Sequence, residues 1–301
     1  MAQVTCGVET GSSGHHLRMS GTERALVLGG GGITGIAWEI GVLAGLAEAG
    51  VDLTGADLVV GTSAGSVVGA QVTSGAGLDE LYARQLEPPS SERVARMSRA
   101  GLARYAWAML RSRGRDEEFR RRVGALAMAA ADAGLTPTEE ERLAVIGSRL
   151  VSSEWPDRRF VVTAVDARSG EFSRLDRDSG VPLVPAVAAS CAVPGVYPPV
   201  TIDGRRYVDG GMRSAANADL AEGYERVVVL APIARGIGPL ASVDAQVTGL
   251  VARVAVVSPD EAGRRAIGRN VLDPAARRPS AEAGRAQAAA VVDRVREAWH
   301  G

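Results

Sequence analysis

The apolar run Leu58-Val59-Val60 enters Gly61-Thr62-Ser63-Ala64-Gly65, and small and apolar residues follow from Ser66 to Val72. A short apolar run bounded by glycine reads as a buried strand, and the segment after it as a helix. One step back along the chain, Ala25-Leu26-Val27-Leu28 is a second such run, closed by four glycines from Gly29 to Gly32. Ile36, Ile40, Leu43 and Leu46 then recur at helical spacing. Strand, helix, strand, helix within about 50 residues predicts an α/β fold with a parallel sheet and right-handed crossovers.

Outward from this core the character changes. Residues 78–150 are rich in arginine, glutamate and alanine with few strand signals, and are read as a helical insertion or cap. Strand signals return from Arg159 to Val165, and Ser169-Gly170 suits a turn into Glu171 to Leu175. Pro182 to Ser190 is read as a short helix, before a proline-rich loop from Pro194 to Pro199. Asp203-Gly204 divides two short strand-like pieces, the second closed by Asp209-Gly210-Gly211. Val227 to Leu230 and Arg253 to Val257 read as further strands, and an alanine-rich helix spans 280–299. Residues 1–22 are expected to be a disordered leader, and 23–301 a single α/β domain.

Apolar residues make up 46% of the 301 and charged residues 23%, an ordinary globular composition with a core to bury. A net charge of −1 argues against nucleic acid as a partner. All cations other than histidine are arginine, which rules out lysine Schiff-base chemistry. Cys6 and Cys191 are not expected to pair, which fits a reducing compartment. No stretch reaches the roughly 18 apolar residues of a membrane span. The expectation is a cytoplasmic protein without a cofactor, and no cluster has the spacing of metal ligands.

Three motifs carry chemistry. Gly61-Thr62-Ser63-Ala64-Gly65 fits a nucleophile elbow, in which glycines at both ends permit a sharp turn exposing Ser63. Chance supplies such a string about 0.3 times in a chain this rich in glycine and serine, so the strand before and helix after matter more. The alternative is a plain turn with Ser63 as helix N-cap. Gly30-Gly31-Gly32-Ile33-Thr34-Gly35 offers backbone N–H groups to an oxyanion at Ser63, because two successive strands deliver both turns to one sheet edge. It also satisfies a dinucleotide fingerprint, but that site needs an acid at the end of the second strand, where Gly61-Thr62-Ser63 stands. A nucleophilic serine needs a base. His15 and His16 lie in the leader and His300 is the penultimate residue, so a carboxylate must serve or the serine is idle. Asp209, after Tyr207-Val208 and before two glycines, is the best placed, against the plainer reading of Asp-Gly-Gly as a hairpin turn.

Taken in order, the glycine loop, the elbow and Asp-Gly-Gly resemble the patatin-like phospholipase family, lipid acyl hydrolases with a Ser–Asp dyad. Ala188-Ala189-Ser190 to Pro198-Pro199-Val200 and Asn217 also look like family segments, and the similarity covers roughly residues 24–235. The resemblance implies an α/β fold, a mostly parallel central sheet with helices on both faces, with Ser63 as nucleophile and Asp209 as its base. It implies an oxyanion hole from the amides of Gly30, Gly31, Gly32 and Ala64, with Gly61 and Gly65 shaping the elbow. The implied substrate is a lipid or other acyl ester, as for a phospholipase A, lysophospholipase or carboxylesterase. An acyltransferase on the same fold and a non-catalytic lipid- or nucleotide-binding protein are the alternatives. One departure is Thr34, where the family loop usually carries arginine or lysine. Among weaker signals, Arg104 to Arg115 mixes arginines with Tyr105, Trp107, Met109 and Leu110. Peripheral contact with an anionic lipid surface is one reading, and a cap helix packed on the core with solvated arginines the plainer one. Cys191 is expected to be a buried inert thiol, and Asp166 an exposed turn acid.

Overall fold

A computed structural model describes residues 23–88, 95–235 and 240–301. The expected leader, with Cys6, His15 and His16, lies outside the described residues. Strand β1 (Arg24–Leu28) leads into helix α1 (Gly32–Glu48), and β2 (Leu58–Gly61) into α2 (Ala64–Thr73). Helices α3 (Leu78–Leu86), α4 (Arg99–Ser112), α5 (Asp116–Asp132) and α6 (Glu139–Arg149) follow, so the 78–150 segment is helical as read. Then come β3 (Arg159–Asp166), β4 (Phe172–Leu175), α7 (Leu183–Ser190), β5 (Val200–Ile202) and β6 (Arg205–Asp209). The chain continues through β7 (Arg226–Leu230), α8 (Val243–Val247), β8 (Arg253–Val257), α9 (Glu261–Ile267) and α10 (Arg277–His300).

The strands form one mixed sheet in the order β5-β6-β3-β2-β1-β7-β8, with β4 also paired to β3. Pairs β3–β2, β2–β1, β1–β7 and β7–β8 are parallel, while β3–β4, β3–β6 and β5–β6 are antiparallel. Strand β1 is central, and Ala25 to Leu28 are buried on both sides, which is why an unbroken apolar run codes for it. Leu26 and Leu28 face the layer of α1, α2 and α10; Ala25 and Val27 face the segment around Ala216 to Val247. Helix α5 supplies Phe119, Val123 and Ala127 to the same second face, over Val165 and Val208. The inserted helices therefore join both layers rather than standing apart as a cap. Glycines let α1 and α10 approach closely: a Cβ on Gly41 would fall onto the Ala281 carbonyl, and one on Gly284 onto that of Trp38. Among the described residues no helix is long and apolar enough to cross a membrane.

The register explains where a site can form. Val162 of β3 pairs with Gly61 on one edge and Leu175 on the other; Ala164 pairs with Asp209 and Ser173. Strand β4 occupies one edge throughout, so β2 and β6 share the opposite edge. They run toward each other along it, and their C-terminal ends, Gly61 and Asp209, stop on either side of Thr163. A parallel strand meeting an antiparallel one head to head puts two chain reversals over one residue. Helix α10 ends far away: Trp299 accepts from Arg226, its ring lies beneath Arg24, and its indole N–H donates to Asp52 O. His300 is thus at the N-terminal ends of the strands, opposite the reversals.

Candidate active site

Ser63 stands two residues beyond the end of β2, after Thr62, and immediately precedes the first residue of α2. Its backbone has φ 52° and ψ −116°, a left-handed φ that costs a non-glycine residue ~1–3 kcal/mol and is held only by its surroundings. Those surroundings are specific. Thr62 N–H donates to Leu28 O at 3.0 Å and Gly65 N–H to Gly29 O at 2.9 Å, which lashes the elbow to the β1 turn. The Ser63 N–H donates to Ser190 Oγ at 2.9 Å, and Ser63 O accepts from Ser66 Oγ at 2.6 Å and Cys191 Sγ at 3.2 Å. Gly65 is obligatory here, since a Cβ would fall onto the Leu28 carbonyl. Gly65→Ala is expected to lower stability by ~1–3 kcal/mol or more through overpacking, seen as a lower urea midpoint.

The Ser63 hydroxyl donates to Asp209 Oδ2 at 2.7 Å, and Asp209 Oδ1 accepts from Gly211 N–H at 2.7 Å. The aspartate N–H is tied to Ala192 O at 3.1 Å, so both its backbone and its carboxylate are fixed. Asp209 is 3% exposed. Burial pushes its carboxyl up from an ordinary 3.8 to about 6, against the lowering effects of the Ser63 hydroxyl, the Gly211 N–H and the Arg142 charge. A carboxylate in that range is ionised at neutral pH and basic enough to accept a hydroxyl proton.

Arg142 was not legible as a site residue. It sits on α6, is 5% exposed, and its guanidinium lies 3.6 Å from the centroid of the Tyr197 ring. Arg142, Arg149 and Tyr197 line a narrow cleft together with Gly32, Ser63 and Ala64. Replacing Arg142 by methionine is expected to shift the acid limb of any Asp209-dependent activity to higher pH, because a charge that favours the carboxylate is lost.

The glycine loop divides. Gly30 donates its N–H to Ala215 O at 2.7 Å, so that amide is engaged and cannot serve the oxyanion, contrary to the sequence-based expectation. A Cβ at Gly30 would make only ordinary contact, 3.5 Å from Ser63 Cβ, so the loop runs directly beside the elbow. Among the described residues the N–H groups of Gly31, Gly32 and Ala64 have no acceptor, and they belong to the starts of α1 and α2. Neither helix has an acid in its own first turn, so no carboxylate of α1 or α2 competes for these amides beside Ser63. Gly32 has φ +60° and a Cβ there would meet Val271 O at 2.5 Å, which reserves the position for glycine.

Thr34 is fully buried, and its hydroxyl lies 3.2 Å from Val271 O and 3.3 Å from Gly31 O. It ties the glycine loop to the 271 segment, and positive charge at the cleft comes from α6 instead. Asn217 is fully buried with φ 54°; its amide donates to Thr62 Oγ1 at 3.0 Å and Ser214 O at 3.1 Å. It holds the loop after Asp209 against the elbow. Ser190 and Thr163 complete the frame. Cys191 is a buried free thiol that lines the cleft, with its ionisation pushed up by burial. Asp166 departs from the expected exposed acid: it is buried, accepting from the N–H groups of Arg168 and Ser169 and from Arg205 Nε at 2.8 Å.

The family described as patatin-like phospholipase matches residues 26–222. An uncharacterized NTE family protein of Mycobacterium bovis is 30% identical over 188 residues, 62% of this chain and 42% of that protein. A lysophospholipase NTE1 of Coccidioides immitis is 30% identical over 195 residues, 64% of this chain and 10% of its own length. The chain thus spans less than half the length of these curated relatives. Among solved structures, VipD from Legionella pneumophila aligns with 90% of this chain and 67% of its own at 13% identity and a TM-score of 0.46. With the family match covering most of the chain, the protein belongs to the patatin-like phospholipase family.

Proposed function

We propose that the chain is a serine-dependent lipid acyl hydrolase of phospholipase A or lysophospholipase type, acting through a Ser63–Asp209 dyad within a single α/β unit over 23–301. The observation that carries this reading is the 2.7 Å hydrogen bond from the Ser63 hydroxyl to a buried carboxylate, beside amides with no acceptor of their own. The lysophospholipase among the relatives points to the same substrate class.

Ser63 Oγ attacks the ester carbonyl as its proton passes to Asp209. The carbonyl oxygen becomes an oxyanion that accepts from Gly31, Gly32 and Ala64 N–H groups, a contribution of ~3–4 kcal/mol to the transition state. Protonated Asp209 then gives its proton to the leaving alkoxide. In the second half Asp209 takes a proton from water as it attacks the acyl carbonyl, the bond to Ser63 Oγ breaks to release the fatty acid, and Asp209 returns the proton to Ser63. Asp209 needs no third residue to orient it, since Gly211 N–H and the Ala192 carbonyl already fix it.

Release of fatty acid from a lysophospholipid, with and without an added acceptor alcohol, tests the reaction. Free fatty acid with water as acceptor is the expected product, absent with Ser63→Ala. Acyl transfer to the alcohol at the expense of free acid would instead make the chain an acyltransferase, and no turnover of any acyl ester by folded protein would refute the proposal.

A further inference from the structure

Helix α4 turns an apolar arc to solvent. Leu102, Trp107 and Leu110 are 58%, 51% and 78% exposed, and they are half of the large exposed hydrophobic side chains among the described residues. At 100° per residue these three lie on one arc with Ala103 and Ala106, and Arg104 and Arg111 mark its edge. The other side of the helix, with Tyr105, Ala108, Met109 and Ser112, packs inward. Arg111 and Arg122 flank the Trp107 ring, 5.3 and 5.6 Å from its centroid. From Arg93 to Arg115 the sequence holds seven arginines and no acidic residue, although the whole chain carries a net charge of −1.

The arc stands beside the cleft. Met97 packs with Val193, Tyr197 and Leu272, three residues that also line the Ser63 cleft, and only Ser98 separates Met97 from the first turn of α4. Ser98 caps that turn by accepting from Gly101 N–H at 3.0 Å. On its buried side, Tyr105 OH donates to Met212 Sδ at 3.2 Å, three residues beyond Asp209. The helix therefore begins beside the cleft lining and, on its inner side, contacts the turn that follows Asp209.

We propose that α4 is the surface by which this chain docks on an anionic phospholipid bilayer, bringing the mouth of the Ser63 cleft to the lipid. Apolar side chains in the centre and arginines at the edge match the acyl layer and the phosphates of such a surface. A second copy of the chain fits worse, because a two-fold contact through this arc would set arginine against arginine. The purpose of docking rests on the lipid-hydrolase reading; the docking itself can be measured without it.

Full-length Ser63→Ala protein is sedimented with vesicles of phosphatidylcholine alone or with about a third phosphatidylglycerol. Binding is expected on the anionic vesicles, weakened by salt, and reduced about tenfold or more by Leu102→Ser/Leu110→Ser and separately by Arg104→Glu/Arg111→Glu. With Ser63 restored, both double variants should keep wild-type turnover of a soluble short-chain ester and lose turnover of vesicle lipid. Equal sedimentation of parent and variants, or a parent that stays in the supernatant, would overturn the proposal. So would a dimer in solution that the double variants split, which would make the arc a contact between copies. Vesicle binding by a chain with no esterase activity would refute the hydrolase reading and leave the docking surface standing.

Discussion

Asp209→Asn is expected to lower kcat by about 10⁴-fold while making the protein more stable at neutral pH. The two effects have one cause. Burial holds the ionised carboxylate at a disadvantage, raising its pKa from 3.8 to about 6. The raised value means that the native state binds the proton more tightly than the unfolded chain does. The contribution from this group is then fully present below pH 3.8 and is lost as pH rises through about 6. At neutral pH the loss amounts to ~3 kcal/mol. Asparagine is neutral at every pH, can still accept from Gly211 N–H, and removes that loss. Thermal unfolding should show a melting temperature raised by several degrees at pH 7 and little changed near pH 4. In the wild type, kcat/KM should fall as pH drops through about 6, because the base is then protonated. A variant that is inactive and also less stable at pH 7 would contradict the electrostatic account of Asp209.

Ser63→Ala is expected to remove turnover of every acyl ester, a loss of about 10⁴-fold or more. Folding should survive, since no hydrogen bond of the elbow backbone uses the hydroxyl. The substitution also takes from Asp209 a donor that favours its ionised form, so the carboxyl pKa should rise beyond about 6. Stability of Ser63→Ala should therefore decline over a higher pH range than that of the wild type. Parallel melts across pH 4 to 8 measure the displacement, and coincident profiles would mean that the hydroxyl and carboxylate are not coupled.

The parts of the fold that were legible are those written locally. Strands β1, β2 and β7 are unbroken apolar runs because both of their faces are covered, and the elbow announces itself through glycines forced by backbone contact. Asp209 was legible because the residue after it cannot carry a Cβ: one on Gly210 would fall onto the Thr163 hydroxyl. What was not legible depends on register and on distant segments. Nothing near Gly30 in sequence reveals that the Ala215 carbonyl takes its N–H. The meeting of β2 and β6 along one edge of β3 is a property of pairing, not of either strand. Arg142 follows Glu139, Glu140 and Glu141 and reads as one more solvated helix cation; its place against the Tyr197 ring, fifty-five residues on, is a matter of packing. Asp166 differs from its sequence reading for the same reason, since one of its partners is Arg205, thirty-nine residues away.

The most direct test of the Ser63–Asp209 pair is labelling of the intact protein by a fluorophosphonate, with the adduct located by peptide mass mapping. One adduct on Ser63 is predicted, absent in Ser63→Ala, slowed strongly in Asp209→Asn, and forming more slowly in the wild type as pH falls through about 6. No adduct on well-folded wild type, or an adduct that forms at full rate in Asp209→Asn, would contradict it.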